Sequence, residues 1–120
     1  RHYAVAGLDA DVALAEIRDS MAIVAEKTGK PCRHFSFPYG DASAACERDF
    51  AIARAAGAVT AVTTRKGLIQ PRHAETLTAL PRLSLNGDYQ DLDYLEVLLS
   101  GVPFALLDAA RRLPFVRASA

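Results

Sequence analysis

The chain of 120 residues has no tryptophan, only two cysteines, and no excess charge of either sign, with 14 basic and 14 acidic side chains. Each shortage excludes something. Without a basic excess there is no reservoir of counterions to release on phosphate, which argues against a nucleic-acid partner. Two cysteines cannot build a disulfide framework, and Cys32 and Cys46 are not spaced as a zinc site. Long apolar runs are missing too: Arg, Glu, Asp or Thr interrupts every apolar stretch within a dozen residues, so no segment predicts a bilayer span. No basic region followed by an apolar run opens the chain, hence no signal peptide is visible. The compartment stays open between cytoplasm and an exported location. There is no Gly-x-Ser-x-Gly elbow and no glycine-rich phosphate loop.

What is present is an apolar half of the composition, 51%, enough for one core at this length. Val12, Ile17, Met21 and Val24 recur near helical spacing and predict a helix over 9–28, capped by Asp9 or Asp11 and ended by Gly29. Arg33 to Phe37, aromatic and bounded by Pro31 and Pro38, predicts a strand. A second helix is expected over 43–56, with Ser43 as cap and Cys46, Phe50 and Ala53 on one face. Ala58 to Thr63 predicts the next strand, being rich in β-branched residues. Residues 66–79 read as a loop with a short helical piece. A third strand is expected over 82–85, then a turn at Asn86-Gly87-Asp88. Asp91 caps a helix to Leu99, and Pro103 begins a last helix to Arg112, before a frayed tail over 113–120. Helix, strand, helix, strand with short connections is the α/β pattern with parallel strands.

In such folds function gathers where strands end. Three places qualify: Pro38-Tyr39-Gly40-Asp41, Thr63-Thr64-Arg65, and the strand after Pro81. Pro-Tyr-Gly fixes the backbone before Tyr39 and frees it afterwards, so the Tyr39 N–H can be aimed at a ligand oxygen; an ordinary turn is the plainer reading. Arg65 and Arg82 suit an anionic substrate or a carboxylate, or simply the surface. His2, His34 and His73 lie beyond helical reach of one another, so their spacing gives no support to a metal site.

Phe35-Ser36-Phe37-Pro38-Tyr39-Gly40-Asp41 resembles the turn of the polysaccharide deacetylase, or NodB-homology, family. Glu16-Ile17 and Thr28-Gly29-Lys30-Pro31 precede it in that family's order and approximate spacing. Ala55-Ala56-Gly57, Ala61 to Gly67, and Leu80-Pro81-Arg82-Leu83 follow in the same order. The resemblance covers residues 2 to 104.

The resemblance implies one incomplete domain over 1–120, the second half of a distorted (β/α) barrel with parallel strands. It implies a hydrolase for the acetamide of an N-acetylated polysaccharide, using a divalent metal, usually Zn2+. In that scheme His2 is the second histidine of a His-x-x-x-His metal motif, and the Tyr39 backbone N–H stabilises the oxyanion, a role worth roughly 3 kcal/mol. Pro38, Gly40 and Asp41 would contact substrate, and Arg82 would orient a catalytic aspartate. The family's aspartate pair and first histidine fall ahead of Arg1, its Asp-Trp element is missing, and no Leu-x-x-His follows Leu99. The expectation is therefore part of an active site, inactive alone, with an open sheet edge that invites self-association. The alternatives are a non-catalytic remnant that binds glycans or a partner, and a receiver-type signalling domain. The latter needs a phosphoacceptor aspartate at a strand end, where Pro38, Thr63 and Leu85 stand instead.

Overall fold

The computed structural model of the chain describes residues 2–84 and 91–112. The expected turn at 86–88 and the tail at 113–120 lie outside the described residues. Backbone contacts group the chain into two compact units, Arg1–Arg82 and Leu83–Ala120.

The first unit begins with a single 3-10 turn, Val5–Gly7. Helix α1 follows over Ala10–Thr28, with Asp9 as its extended N-cap and Gly29 closing it at φ 65°. Strand β1 (His34–Ser36) and strand β2 (Thr60–Val62) pair in parallel, with Phe35 opposite Ala61. Helix α2 (Glu47–Ala55) is the crossover between them. The arrangement is α/β, as the alternation of patterns predicts.

The buried stripe of α1 differs from the expected one. Ala13, Ile17 and Met21 are buried, while Val12 and Val24 are 48% and 47% exposed. Positions 13, 17 and 21 follow an i, i+4, i+8 ridge, and α1 packs on α2. Ile17, Phe37, Phe50, Ala53 and Ala61 centre the core.

Helix α2 starts later than expected. Ser43 does not cap it: the Asp41 carboxylate accepts from the Ser43 N–H at 2.8 Å, the Ser43 hydroxyl at 2.6 Å and the Ala44 N–H at 3.0 Å. That local turn competes with helix for the same donors. The cap is Cys46, whose N–H donates to Asp49 Oδ2 at 2.8 Å. Asp49 is buried and also accepts from Arg48 Nη2 at 2.7 Å, and Arg48 donates in turn to the Val5 carbonyl at 3.2 Å. This chain of bonds fastens the first turn of α2 to the chain's beginning.

The third extended segment meets the sheet earlier than 82–85. Leu80 bridges Val62 in parallel, accepting from the Thr63 N–H at 2.9 Å and donating to Ala61 at 3.0 Å. The next pairing bond is Arg82 N–H to the Arg65 carbonyl at 3.0 Å. Pro81 lacks an N–H, so the ladder passes through residues 80 and 82 on either side of it. Of the expected strand, residue 85 lies outside the described residues. The loop before it carries two 3-10 pieces, Pro71–Glu75 and Leu77–Ala79.

The second unit holds helices α3 (Leu92–Leu99) and α4 (Val102–Arg112), which pack on each other. The Asp91 carboxylate accepts from the Asp93 N–H at 2.8 Å, the expected cap. Gly101, at φ 78°, makes the reversal between the helices. No described helix is long and apolar enough to cross a membrane.

Candidate functional site

A cleft of about 450 Å3 opens beside β1. Its walls come from the residues just before and within the first 3-10 turn (His2, Tyr3, Val5), from α1 (Glu16, Ile17, Ser20), from β1 and the turn after it (Phe35 to Tyr39), and from Thr64 and Arg82. Of the residues singled out from sequence, His2, Pro38, Tyr39 and Arg82 therefore meet on one surface.

The turn that follows β1 holds two consecutive residues, Tyr39 and Gly40, at positive φ. Tyr39 has φ 60°, and it is the one non-glycine residue in the left-handed region among the described residues. That conformation costs a residue with a Cβ roughly 1–2 kcal/mol, so neighbouring contacts must hold it. Three do. The Thr64 hydroxyl donates to the Tyr39 carbonyl at 2.6 Å, the Thr64 N–H donates to the Gly40 carbonyl at 2.9 Å, and the Gly40 N–H donates to the Pro38 carbonyl at 2.7 Å.

Gly40 follows at φ 67°, and a Cβ there would stand 2.9 Å from Thr64 N and 3.1 Å from the Phe37 carbonyl. Only glycine fits where the two strand exits approach so closely. The Tyr39 N–H makes no hydrogen bond among the described residues. Its ring is 60% exposed and meets His2 edge-on, centroids 4.9 Å apart.

Asp41 stands apart from this surface. Its carboxylate is committed to Ser43 and Ala44, and those bonds, with the Ser43 hydroxyl foremost, hold its pKa below the ordinary carboxylate value. Gly40 is buried beneath the turn and contributes shape. Arg82 reaches Ser36 Oγ at 3.5 Å from its Nη1, and no carboxylate pairs with it among the described residues. Arg65 does not face the cleft as a ligand: it donates to the Ala45 carbonyl at 2.7 Å and lies over the Phe50 ring at 5.1 Å.

In the sequence, Thr63-Thr64-Arg65 reads as a strand end, with nothing to divide the labour among the three. The structure assigns three tasks. Thr63 is buried and donates to the Leu80 carbonyl at 3.1 Å, Thr64 holds Tyr39, and Arg65 braces the loop before α2. The only available signal was parity, since alternate residues leaving a strand point to opposite faces.

The histidines are dispersed. His34 Nδ1 pairs with Thr60 Oγ1 at 2.8 Å, His73 Nδ1 accepts from the Gln70 N–H at 2.8 Å, and His2 rests on Tyr39. Among the described residues no three His, Cys, Asp or Glu stand together as a metal-ligand set. A catalytic zinc needs three protein ligands, so these residues by themselves do not fit one.

No protein-family model, no curated protein and no solved structure matches this chain.

Proposed function

We propose that the chain is part of a carbohydrate de-N-acetylase, a hydrolase that cleaves the acetamide of an N-acetylated polysaccharide, and that it carries the carbonyl-binding side of the site. One observation supports this reading above the others. The Tyr39 backbone N–H, on the wall of a cleft, has no acceptor among the described residues, and three hydrogen bonds hold the strained turn around it in place. A donor fixed in advance, at a site that excludes part of the solvent, stabilises the oxyanion of amide hydrolysis without reorganising. Pro38 and the Tyr39 ring offer an apolar surface for a sugar face, and His2 lies against that ring. In this proposal the barrel-type architecture and a divalent metal, Zn2+ by resemblance, belong to the complete site, with His2 as one ligand. No step is derived through the metal, because the described residues do not make up its donor set.

A second reading, in which the cleft binds N-acetylated glycan without hydrolysing it, uses the same donor and the same ring surface. One experiment separates the two. The chain is titrated with a chitooligosaccharide, then with its deacetylated form, while amide resonances are followed and free acetate is assayed with zinc added. Both readings expect the acetylated sugar to shift the Tyr39 amide more than the deacetylated one. This chain alone is expected to release no acetate under either reading, because three protein ligands are needed to hold a catalytic zinc. A longer polypeptide that adds the upstream segment separates them: acetate release on adding zinc assigns catalysis, and binding without release assigns the remnant. No preference for the acetyl group overturns both.

A further inference from the structure

Two peptide groups in the turn after β1 form a relay that begins at the Thr64 hydroxyl and ends at the Tyr39 N–H. The Gly40 N–H donates to the Pro38 carbonyl at 2.7 Å, a bond that closes around a single residue, Tyr39, at φ 60°. This is a γ-turn of the positive-φ form, the rarer and more strained of the two. Each peptide group is planar and trans, so fixing its carbonyl fixes the N–H on the opposite side. The Thr64 hydroxyl donates to the Tyr39 carbonyl at 2.6 Å, which sets the Tyr39–Gly40 peptide and aims the Gly40 N–H. That N–H holds the Pro38 carbonyl in turn, which sets the Pro38–Tyr39 peptide and points the Tyr39 N–H out of the turn.

Thr64 is itself held from the far side of β2. The Thr63 N–H and hydroxyl both donate to the Leu80 carbonyl, at 2.9 and 3.1 Å, and the Arg65 carbonyl accepts from the Arg82 N–H at 3.0 Å. Residues 63 and 65 thus face the third extended segment, and Thr64 between them faces the exit of β1. Its N–H reaches the Gly40 carbonyl at 2.9 Å, while its hydroxyl reaches the carbonyl one residue earlier. One residue therefore grips two successive carbonyls of the turn. Every bond in the relay and in its support is made between residues 38 and 82.

We infer that Thr64 is the positioning residue for carbonyl recognition, its hydroxyl both aiming and polarising the Tyr39 N–H through the two intervening peptides. In a chain of hydrogen bonds, each carbonyl that accepts makes the N–H of the same peptide a stronger donor. The strain of the γ-turn is what the hydroxyl opposes. A flip of the Pro38–Tyr39 peptide takes φ at Tyr39 to the favoured negative side, and it turns the N–H to the opposite face. Thr64 acts through Tyr39 and not on the sugar. The inference rests on the reading of the Tyr39 N–H as donor to the acetamide carbonyl, and it names the group that keeps that donor in place.

The test compares Thr64→Val, Thr64→Ser and Thr63→Val in the whole chain, each titrated with a chitooligosaccharide and with its deacetylated form. One readout is the ratio of the two affinities. The other is the Overhauser effect between the Tyr39 N–H and its own Hα, strongest at positive φ, where the two hydrogens nearly eclipse. Thr64→Val is expected to lower the acetyl preference about fivefold to tenfold, the worth of one hydrogen bond, and to weaken the Overhauser effect. Its affinity for the deacetylated sugar should stay within about twofold of the parent. Thr64→Ser keeps the donor and should keep the preference. Thr63→Val removes a buried hydroxyl outside the relay and should keep it as well. An unchanged ratio in Thr64→Val overturns the inference and leaves the Tyr39 reading standing. So does an equal fall in Thr64→Ser or in Thr63→Val. No acetyl preference in the parent chain overturns the Tyr39 reading, and the inference with it. If Thr64→Val does not fold, Thr64→Cys takes its place as a weaker donor: a ratio below the parent's is expected, and the parent's ratio overturns the inference.

Discussion

The Thr64 hydroxyl and the Tyr39 carbonyl lie 2.6 Å apart, and through this bond the exit of β2 fixes the exit of β1. The two strands are adjacent and parallel, so their C-terminal ends leave the sheet side by side. A side chain on one exit can therefore hold the backbone of the other. Thr64→Val keeps the shape of the side chain and removes the donor. It is expected to cost about 1 kcal/mol in urea unfolding, the usual worth of one hydrogen bond, and Thr64→Ser should cost only a few tenths. The sharper readout is local. Amide exchange at Gly40, whose N–H donates to the Pro38 carbonyl within the same turn, should accelerate in the valine variant and not in the serine variant.

Gly40 and Gly29 form a controlled comparison of two left-handed glycines. Their φ angles are 67° and 65°, yet a Cβ at Gly29 meets nothing within 4 Å, and one at Gly40 meets Thr64 N at 2.9 Å. Gly29→Ala is then expected to cost about 1 kcal/mol, the left-handed penalty alone. Gly40→Ala adds backbone overlap that no side-chain rotation relieves, for a total of about 2–4 kcal/mol. Denaturant midpoints of the two variants check the ordering. Equal losses would mean that the approach of Thr64 to Gly40 relaxes freely.

Asp49 gives the fold a specific weakness in acid. Burial by itself raises the pKa of this carboxyl, but the Cys46 N–H and the Arg48 guanidinium outweigh burial, and the net shift is downward. A folded pKa below the unfolded one means stability that is fully present above the unfolded value, near 4, and lost as pH falls through the folded value. Unfolding midpoints should be flat from neutrality to about pH 5 and then decline. Asp49→Asn should lower the plateau by about 1–2 kcal/mol through loss of the cap and the charged bond, and make the decline shallower. Asp41 adds to the decline in the same direction, because the Ser43 hydroxyl and the Ser43 and Ala44 N–H groups favour its charged form.

How much of this was legible beforehand varied with the range of the interaction. Helix α1 and its Gly29 stop, β1, β2 and the Asp91 cap are encoded by neighbours in sequence, and they stand within a residue or two of their expected bounds. The start of α2 differs from the expected one because Ser43, a good capping residue, stands four residues before Glu47, whereas the acid at capping distance, Asp49, lies three residues after Cys46. What decides between them is that the Asp41 carboxylate satisfies Ser43 first. The third sheet contact was misplaced by two residues, since Pro81 reads as a boundary and acts as the unpaired step of a ladder. In the candidate site, the Pro-Tyr-Gly turn was visible as a motif. The strain at Tyr39 and the clamp from Thr64 were not, because they arise only when residues 25 apart in sequence come together.

Tyr39→Gly separates what the backbone does from what the ring does. Glycine adopts φ 60° freely, so the variant loses the left-handed penalty and gains unfolded-state entropy, and its stability should stay within about 1 kcal/mol of the parent. The N–H at position 39 and the Thr64 bond to its carbonyl both survive the change, while the edge contact with His2 is lost. If the N–H is the donor for the acetamide carbonyl, an N-acetylated oligosaccharide should still shift the residue 39 amide. Affinity should fall only by the share owed to ring stacking, about 1 kcal/mol. Loss of the acetyl preference in this variant would assign recognition to the phenol ring and remove the backbone oxyanion role. His2→Ala completes the comparison, because it deletes the same edge contact from the other side and leaves the turn untouched. Matching losses in the two variants would mean that the His2 and Tyr39 rings act as one surface for the sugar.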